Sequence, residues 1–277
     1  MNYSAAIRRA LCALAVAALP VAPAHAVQAP SDADPRPFVL AVDAGHGGRD
    51  IGCSSGANKE KDITLDVARR FGKLVNDAFA DSVKVVMTRD DDVFVSLDRR
   101  AACANDAAAD LFVSIHVNSL DRRTKGRRAV HGASVYTVGL HKTEANLAVA
   151  MRENAVIELE DDYSETYHGF DPNSSESYII FELSQHSNME RSLDFASMAQ
   201  AELIATAGRA DKGVRQAGFL VLWATRMPAV LVELDFICNP EAERFLASSK
   251  GRQSCAEALF KAFSAYRRKT LTHIIQS

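Results

Sequence analysis

Phe38-Val39-Leu40-Ala41-Val42-Asp43-Ala44-Gly45-His46-Gly47-Gly48 opens the ordered pattern of the chain. Five apolar residues break abruptly into glycines, as expected of a buried strand that ends in a tight loop. Beyond it, Ile63, Val67, Phe71, Leu74, Val75 and Ala78 recur every three or four residues and lay one apolar stripe along a helix. Val83–Met87 is a second predicted strand. Ser96 is a candidate cap for a helix over Leu97–Ala109, and Leu111–Val117 reads as a central strand with His116 at its far end. Ala133–Val138 follows, then a helix capped by Thr143 and running to about Leu159, with Leu147, Met151 and Ala155 spaced by four. An acidic, turn-rich stretch, Glu158–Ser177, precedes a helical region up to about Gly208. Phe219–Trp223 and Ala229–Phe236 complete the predicted strands. Asn239 with Pro240 behind it starts another helix, and Cys255, Leu259, Ala262 and Phe263 form the apolar face of the last.

Branched apolar strands alternating with amphipathic helices give an α/β class. The expected architecture is three-layered, with a largely parallel or mixed central sheet of about six strands and helices on both faces. Reactive groups in such folds gather beyond the strand ends. His46, His116 and Glu233 all fall at or near predicted strand ends.

The N-terminus carries Arg8 and Arg9, an apolar run from Ala10 to Val21, and the small-x-small triplet Ala24-His25-Ala26. That is the pattern of a secretory signal over residues 1–26. A membrane anchor is the competing reading, but the run is short of the roughly 20 apolar residues a span needs and contains Pro20, so no stable membrane insertion is expected after removal. Residues 27–37 read as a short linker and 38–277 as one domain, because no repeat or low-complexity tract divides them. A formal net charge of −3, with the two signs interspersed, gives no reason to expect nucleic acid. The basic run Arg122, Arg123, Lys125, Arg127, Arg128 lacks interleaved aromatics and reads as a solvated loop. Cys53, Cys103, Cys238 and Cys255 permit three disulfide pairings, among which sequence does not choose.

Imidazoles and a carboxylate borne by separate elements of a rigid sheet suit a zinc ion with one position left for water. The candidates are His46, Glu60 and His116. Each alone is weak evidence, since a lone histidine at a strand end is more often a hydrogen-bonded polar core residue, and the glycine loop is open to reading as a tight turn. A phosphate-binding loop is disfavoured, because its lysine and hydroxyl are missing from the required positions. Glu233, set among Val230, Leu231, Val232 and Leu234, is a candidate general acid/base whose burial would raise its pKa; pairing with a core arginine such as Arg89 is the plainer alternative. Asp43 is placed to orient an imidazole or to shape the turn. Asn118, on the same strand face as His116, is placed to bind a substrate amide or to cap the strand.

Taken together, Val42-Asp43-Ala44-Gly45-His46-Gly47-Gly48, Glu60 before an amphipathic helix, Met87-Thr88-Arg89, Arg100-Ala101 with Ala104-Asn105, Ser114-Ile115-His116-Val117-Asn118-Ser119, and Val232-Glu233 with Asn239-Pro240 resemble the zinc-dependent N-acetylmuramoyl-L-alanine amidases of the family 3 type. The match spans roughly Phe38 to Phe263. Ala44, Asp235 and Cys238 depart from the proline, glycine and serine common at those places. The resemblance implies Zn2+ held by His46, Glu60 and His116, catalysis by Glu233, and peptidoglycan as substrate, cut between N-acetylmuramic acid and L-alanine. It also implies an exported protein of the periplasm or cell envelope. Some exported relatives carry an inhibitory segment displaced by a protein activator, and Glu158–Ser177 is the candidate segment here. A zinc carboxypeptidase acting on the stem peptide and a non-catalytic wall-binding module with structural zinc are the alternatives.

Overall fold

The computed structural model describes residues 36–179, 181 and 188–276; the expected signal and most of the linker lie outside them. Six strands form one mixed sheet in the order β4-β1-β5-β8-β6-β7. These are β1 (Phe38–Ala44), β4 (Val83–Met87), β5 (Leu111–Asn118), β6 (Ala133–Val138), β7 (Asp211–Ala217) and β8 (Ala229–Phe236), while β2 (Ser54–Ser55) and β3 (Asn58–Lys59) make a small separate hairpin. β1, β4, β5 and β8 run parallel, and β6 pairs antiparallel with β8.

Side chains alternate along β1 and β5 and feed two cores. Leu40, Val42, Val113 and Ile115 enter one, packed under α1 (Glu60–Phe79), α5 (Met189–Ala205) and α8 (Ser249–Gln276). Val39, Ala41 and Phe112 enter the other, under α2 (Leu97–Asp106), α3 (Glu144–Asn154) and the single turn α6 (Leu220–Trp223). A short turn, α4 (Tyr163–Thr166), and α7 (Pro240–Ala247) complete the helices discussed. Burial on both sheet faces explains why the strands read as continuous apolar runs.

The sixth strand is not where the apolar pattern puts it. Phe219–Trp223 contains the one-turn helix α6, and the strand is Asp211–Ala217, at the sheet edge. A five-residue apolar run has too few residues to reveal its period, and an edge strand with mostly half-buried side chains shows no apolar alternation. Helix α2 ends at Asp106, short of Ala109, because Ala108 turns to φ 48°. Ser96 directs its hydroxyl to the Asp98 carboxylate and not to a helix amide. Asn239 caps as expected: its Oδ1 accepts from the amides of Glu241 and Ala242 at 2.8 and 3.0 Å.

The loop after β1 is held by two buried arginines. Arg89 donates to the carbonyls of Ala44, Gly45 and Lys61 at 2.8–2.9 Å. Arg100 donates to the carbonyls of Ala44 and His46 at 2.7 Å and to Asp43 Oδ1 at 2.8 Å. Asp43 also accepts from Thr88 Oγ1 and Ser114 Oγ at 2.6 Å, and this set, with Arg100 foremost, holds its carboxyl below the usual range against its complete burial. Arg100→Met leaves that carboxylate uncompensated. It is expected to cost roughly 3–5 kcal/mol, read by urea unfolding, with a much smaller loss for the surface variant Arg69→Met as control.

Candidate metal centre

Parallel pairing brings the ends of β1, β5 and β8 together. Gly45 N bonds Ile115 O at 3.0 Å, and His116 stands opposite Glu233 in the β5–β8 register. His46, at φ 62° in the glycine loop, turns back toward the sheet, a left-handed conformation uncommon for a residue with a side chain and typical of functional loops. Two glycines make room. A Cβ on Gly45 would lie 2.5 Å from the His116 ring, and one on Gly52 would lie 2.6 Å from Glu60 Oε2. Glu60, the first residue of α1, is aimed by two backbone donors: Oε1 accepts from the Val117 amide at 2.7 Å and Oε2 from the Cys53 amide at 2.8 Å.

His46, Glu60 and His116 therefore converge, as the sequence reading expects. A fourth residue joins them. Glu153, near the end of α3, completes a buried group whose ligand atoms all lie within 4.8 Å of one another. His46 Nε2 lies 3.1 Å from Glu60 Oε1 and 3.2 Å from Glu153 Oε2; His116 Nδ1 lies 3.2 and 3.1 Å from the same two oxygens. A tetrahedral ion with bonds of about 2.0 Å spaces its ligand atoms about 3.3 Å apart, so these four edges have the length such an ion requires. His46 Nε2 and Glu153 Oε2 are buried with no hydrogen-bond partner among the described residues despite their proximity. Lone pairs that point inward at a common centre without bonding one another fit a cation between them.

Electrostatics agree. Burial opposes charge on both imidazoles, yet the carboxylates prevail: His46 is held well above its ordinary pKa by Glu60, Asp50 and Glu153, and His116 is raised to about 9 by Glu153 and Glu60. Burial likewise opposes ionisation of Glu60 and Glu153, but His46 lowers the first and Arg152 with His116 the second. The site is built to hold positive charge among two carboxylates.

The other expected residues take varied places. Asp43 is occupied by Arg100, Thr88 and Ser114; the carboxylate on His46 Nδ1 is that of Asp50, at 2.7 Å. When Asp50 accepts from Nδ1, Nε2 is left free as a donor to metal. Arg89 is consumed by loop carbonyls, and the cation beside Glu233 is Arg152, at 3.2 Å. Asn118 Oδ1 accepts from Arg152 at 3.1 Å. Glu233 is fully buried, its Oε2 lacks a hydrogen-bond partner among the described residues, and burial, with the Glu153 charge second, pushes its pKa up to about 8. Cys53 Sγ donates to Val117 O at 2.9 Å, and burial together with Glu60 keeps it a neutral thiol. None of the four described cysteines is paired.

A family model described as N-acetylmuramoyl-L-alanine amidase matches residues 40–265. The chain belongs to that amidase family. The amidase AmiC of Escherichia coli O6:H1 is 35% identical over 239 residues, covering 83% of this chain and 53% of the relative. AmiA of Escherichia coli K12 is 30% identical over 231 residues, covering 82% and 75%. The chain thus spans about half the length of that AmiC relative. Among solved structures, the catalytic domain of the amidase CwlV from Bacillus (Paenibacillus) polymyxa var. colistinus superposes with a TM-score of 0.59 at 25% identity, covering 83% of this chain and 98% of that one. An amidase from Clostridium difficile 630 shares the fold, with a TM-score of 0.61 at 22% identity and coverages of 84% and 98%.

Metal analysis tests the grouping. His46→Ala and Glu60→Ala are each expected to lower the metal-to-protein ratio at least about tenfold after dialysis, measured by elemental mass spectrometry. Cys53→Ala is expected to leave it unchanged.

Proposed function

We propose that the chain is an exported, zinc-dependent N-acetylmuramoyl-L-alanine amidase of the cell envelope, in which His46, Glu60 and His116 hold the ion and Glu233 is the general acid/base. The reading places residues 1–26 as a signal and 38–277 as the catalytic domain. Glu233 carries it: a fully buried carboxyl with a raised pKa and an oxygen unpartnered among the described residues, in register with His116. Neither a structural metal nor the packing of the sheet requires such a group.

When bound, zinc supplies Lewis acidity, polarising a carbonyl and acidifying water. Glu233 accepts the proton of the attacking water and delivers it to the departing alanine nitrogen, which cannot leave as an anion. A raised pKa suits both roles, and a bound cation would draw it down toward neutrality. Asn118 lies beside the path of Arg152 and is placed to bind a substrate amide once that arginine withdraws.

The described arrangement is closed. Glu153 would fill the fourth ligand position, and its neighbour Arg152 divides its guanidinium among Glu153 itself, Glu233, Asn118 and the Ser119 carbonyl. A site enclosed by four protein ligands is the usual mark of a structural metal, which favours the non-catalytic reading at this point. Against it, both occluding residues belong to one helix end, and both engage groups that hydrolysis needs. We therefore take the end of α3 as an inhibitory plug that a protein activator withdraws. It lies upstream of Glu158–Ser177, whose Glu160 and Tyr167 pack against the start of α2. No described helix is long and apolar enough to cross a membrane.

Purified wall digested with the full chain and analysed by mass spectrometry separates the readings: intact stem peptides, trimmed stem peptides, or no product. Glu153→Ala is expected to raise basal release of intact stem peptides at least about tenfold. Glu233→Gln on that background is expected to keep its metal and lose about two orders of magnitude or more. No product from Glu153→Ala, metal-loaded and folded, would return the ion to a structural role.

A further inference from the structure

The basic run that composition leaves as a solvated loop forms one wall of a groove of about 890 Å3. Arg122, Arg123 and Arg127 line it from the loop, and Ala148 and Val149 line it from α3. At its inner end the groove shares Gly52, Cys53 and Arg152 with the smaller cavity that holds His46, Glu60 and Glu153. A chain lying in the groove therefore runs directly into the metal centre.

The loop is built, not loose. Turns bond Thr124 N to Asp121 O, Arg127 N to Thr124 O and Ala129 N to Gly126 O. Its far end is pinned to the segment after β8, where Cys238 Sγ and Asn239 Nδ2 donate to the carbonyls of Arg127 and Arg128 at 3.3 and 2.8 Å. Its charges are under-used. Of the three arginines only Arg123 has an acidic partner among the described residues, Asp121 at 3.3 Å, and that pair is exposed. Arg127 Nε is buried without a hydrogen-bond partner among the described residues. Guanidinium groups in a concave wall, fixed in backbone and short of acceptors, suit carboxylates, which they bind by paired hydrogen bonds.

We propose that Arg122, Arg123 and Arg127 form a subsite that reads free carboxylates on the peptide side of the substrate. The inference rests on the amidase reading and extends it to orientation. In the bond to be cut, the lactyl carboxyl of the sugar is consumed in the amide, so the free carboxylates of the molecule belong to the peptide. Charge complementarity then lays the peptide along the groove and the glycan away from it. The arginines are specificity residues that do not touch the reacting atoms.

Calorimetric titration of the full chain with a muramyl tripeptide, in its free-acid form and with every peptide carboxyl converted to carboxamide, tests this without requiring turnover. The free acid is expected to bind at least about tenfold more tightly, with a preference that falls as salt is raised. Arg122→Gln with Arg123→Gln, both on the surface, is expected to remove most of that preference and leave carboxamide affinity unchanged; adding Arg127→Gln is expected to remove the rest. Equal binding of the two forms by the unaltered chain, or a preference that survives the triple substitution, overturns the subsite. Mass spectrometry of the same mixtures with Glu153→Ala judges the amidase reading separately: an intact amide bond alongside a persisting arginine-dependent preference sinks the hydrolase and spares the subsite.

Discussion

Two carboxylates, Glu60 and Glu153, and two imidazoles, His46 and His116, crowd together with imidazole–carboxylate contacts of 3.1–3.2 Å. Buried away from water, such a group is stable only if positive charge lies among the oxygens, carried by protons on the rings or by a metal ion. Much of the surrounding structure serves that constraint. The glycines remove the Cβ atoms that would block the rings, the Val117 and Cys53 amides aim Glu60, and Asp50 sets the tautomer of His46. Sheet register then delivers Glu233 to the same place from a neighbouring strand.

Rigidity is unevenly distributed around this centre. His46 sits on a loop whose carbonyls are clamped by Arg89 and Arg100, both almost wholly buried. Glu60 and His116 are anchored in the main sheet and its first helix. Glu153 comes from the other side, on a helix tied through Asn154, which bonds the Gly218 carbonyl at 2.7 Å and the Leu220 amide at 3.0 Å. Three donors thus share one rigid frame, while the fourth depends on how α3 is docked. The proposed regulation needs that division, with three donors on a fixed frame and one on a separately docked helix.

The sequence was informative where chemistry and periodicity coincide. Strands β1, β5 and β8 are buried on both faces and announce themselves as apolar runs, and His46, His116 and Glu233 lie at or near their ends. It was silent where a residue's role depends on a distant partner. Glu153 escaped because the stripe chosen for its helix, Leu147, Met151 and Ala155, is only half-buried; the inward face is Asn146, Val149, Ala150, Glu153 and Asn154, and its polar members disguise it. Asp50 lies four residues past His46 and looks like any acidic turn residue. Asp43 was legible as important, but its partners Arg100, Thr88 and Ser114 arise only from folding. The edge strand β7 is too polar to read, and α6 too short.

The most direct test of the four-donor centre is X-ray absorption at the zinc edge of the metal-loaded full chain. The account predicts a four-coordinate shell of nitrogen and oxygen at about 2.0 Å, with imidazole scattering from two histidines and no sulfur. A sulfur shell at about 2.3 Å, six-coordinate geometry, or the loss of imidazole signal would contradict it.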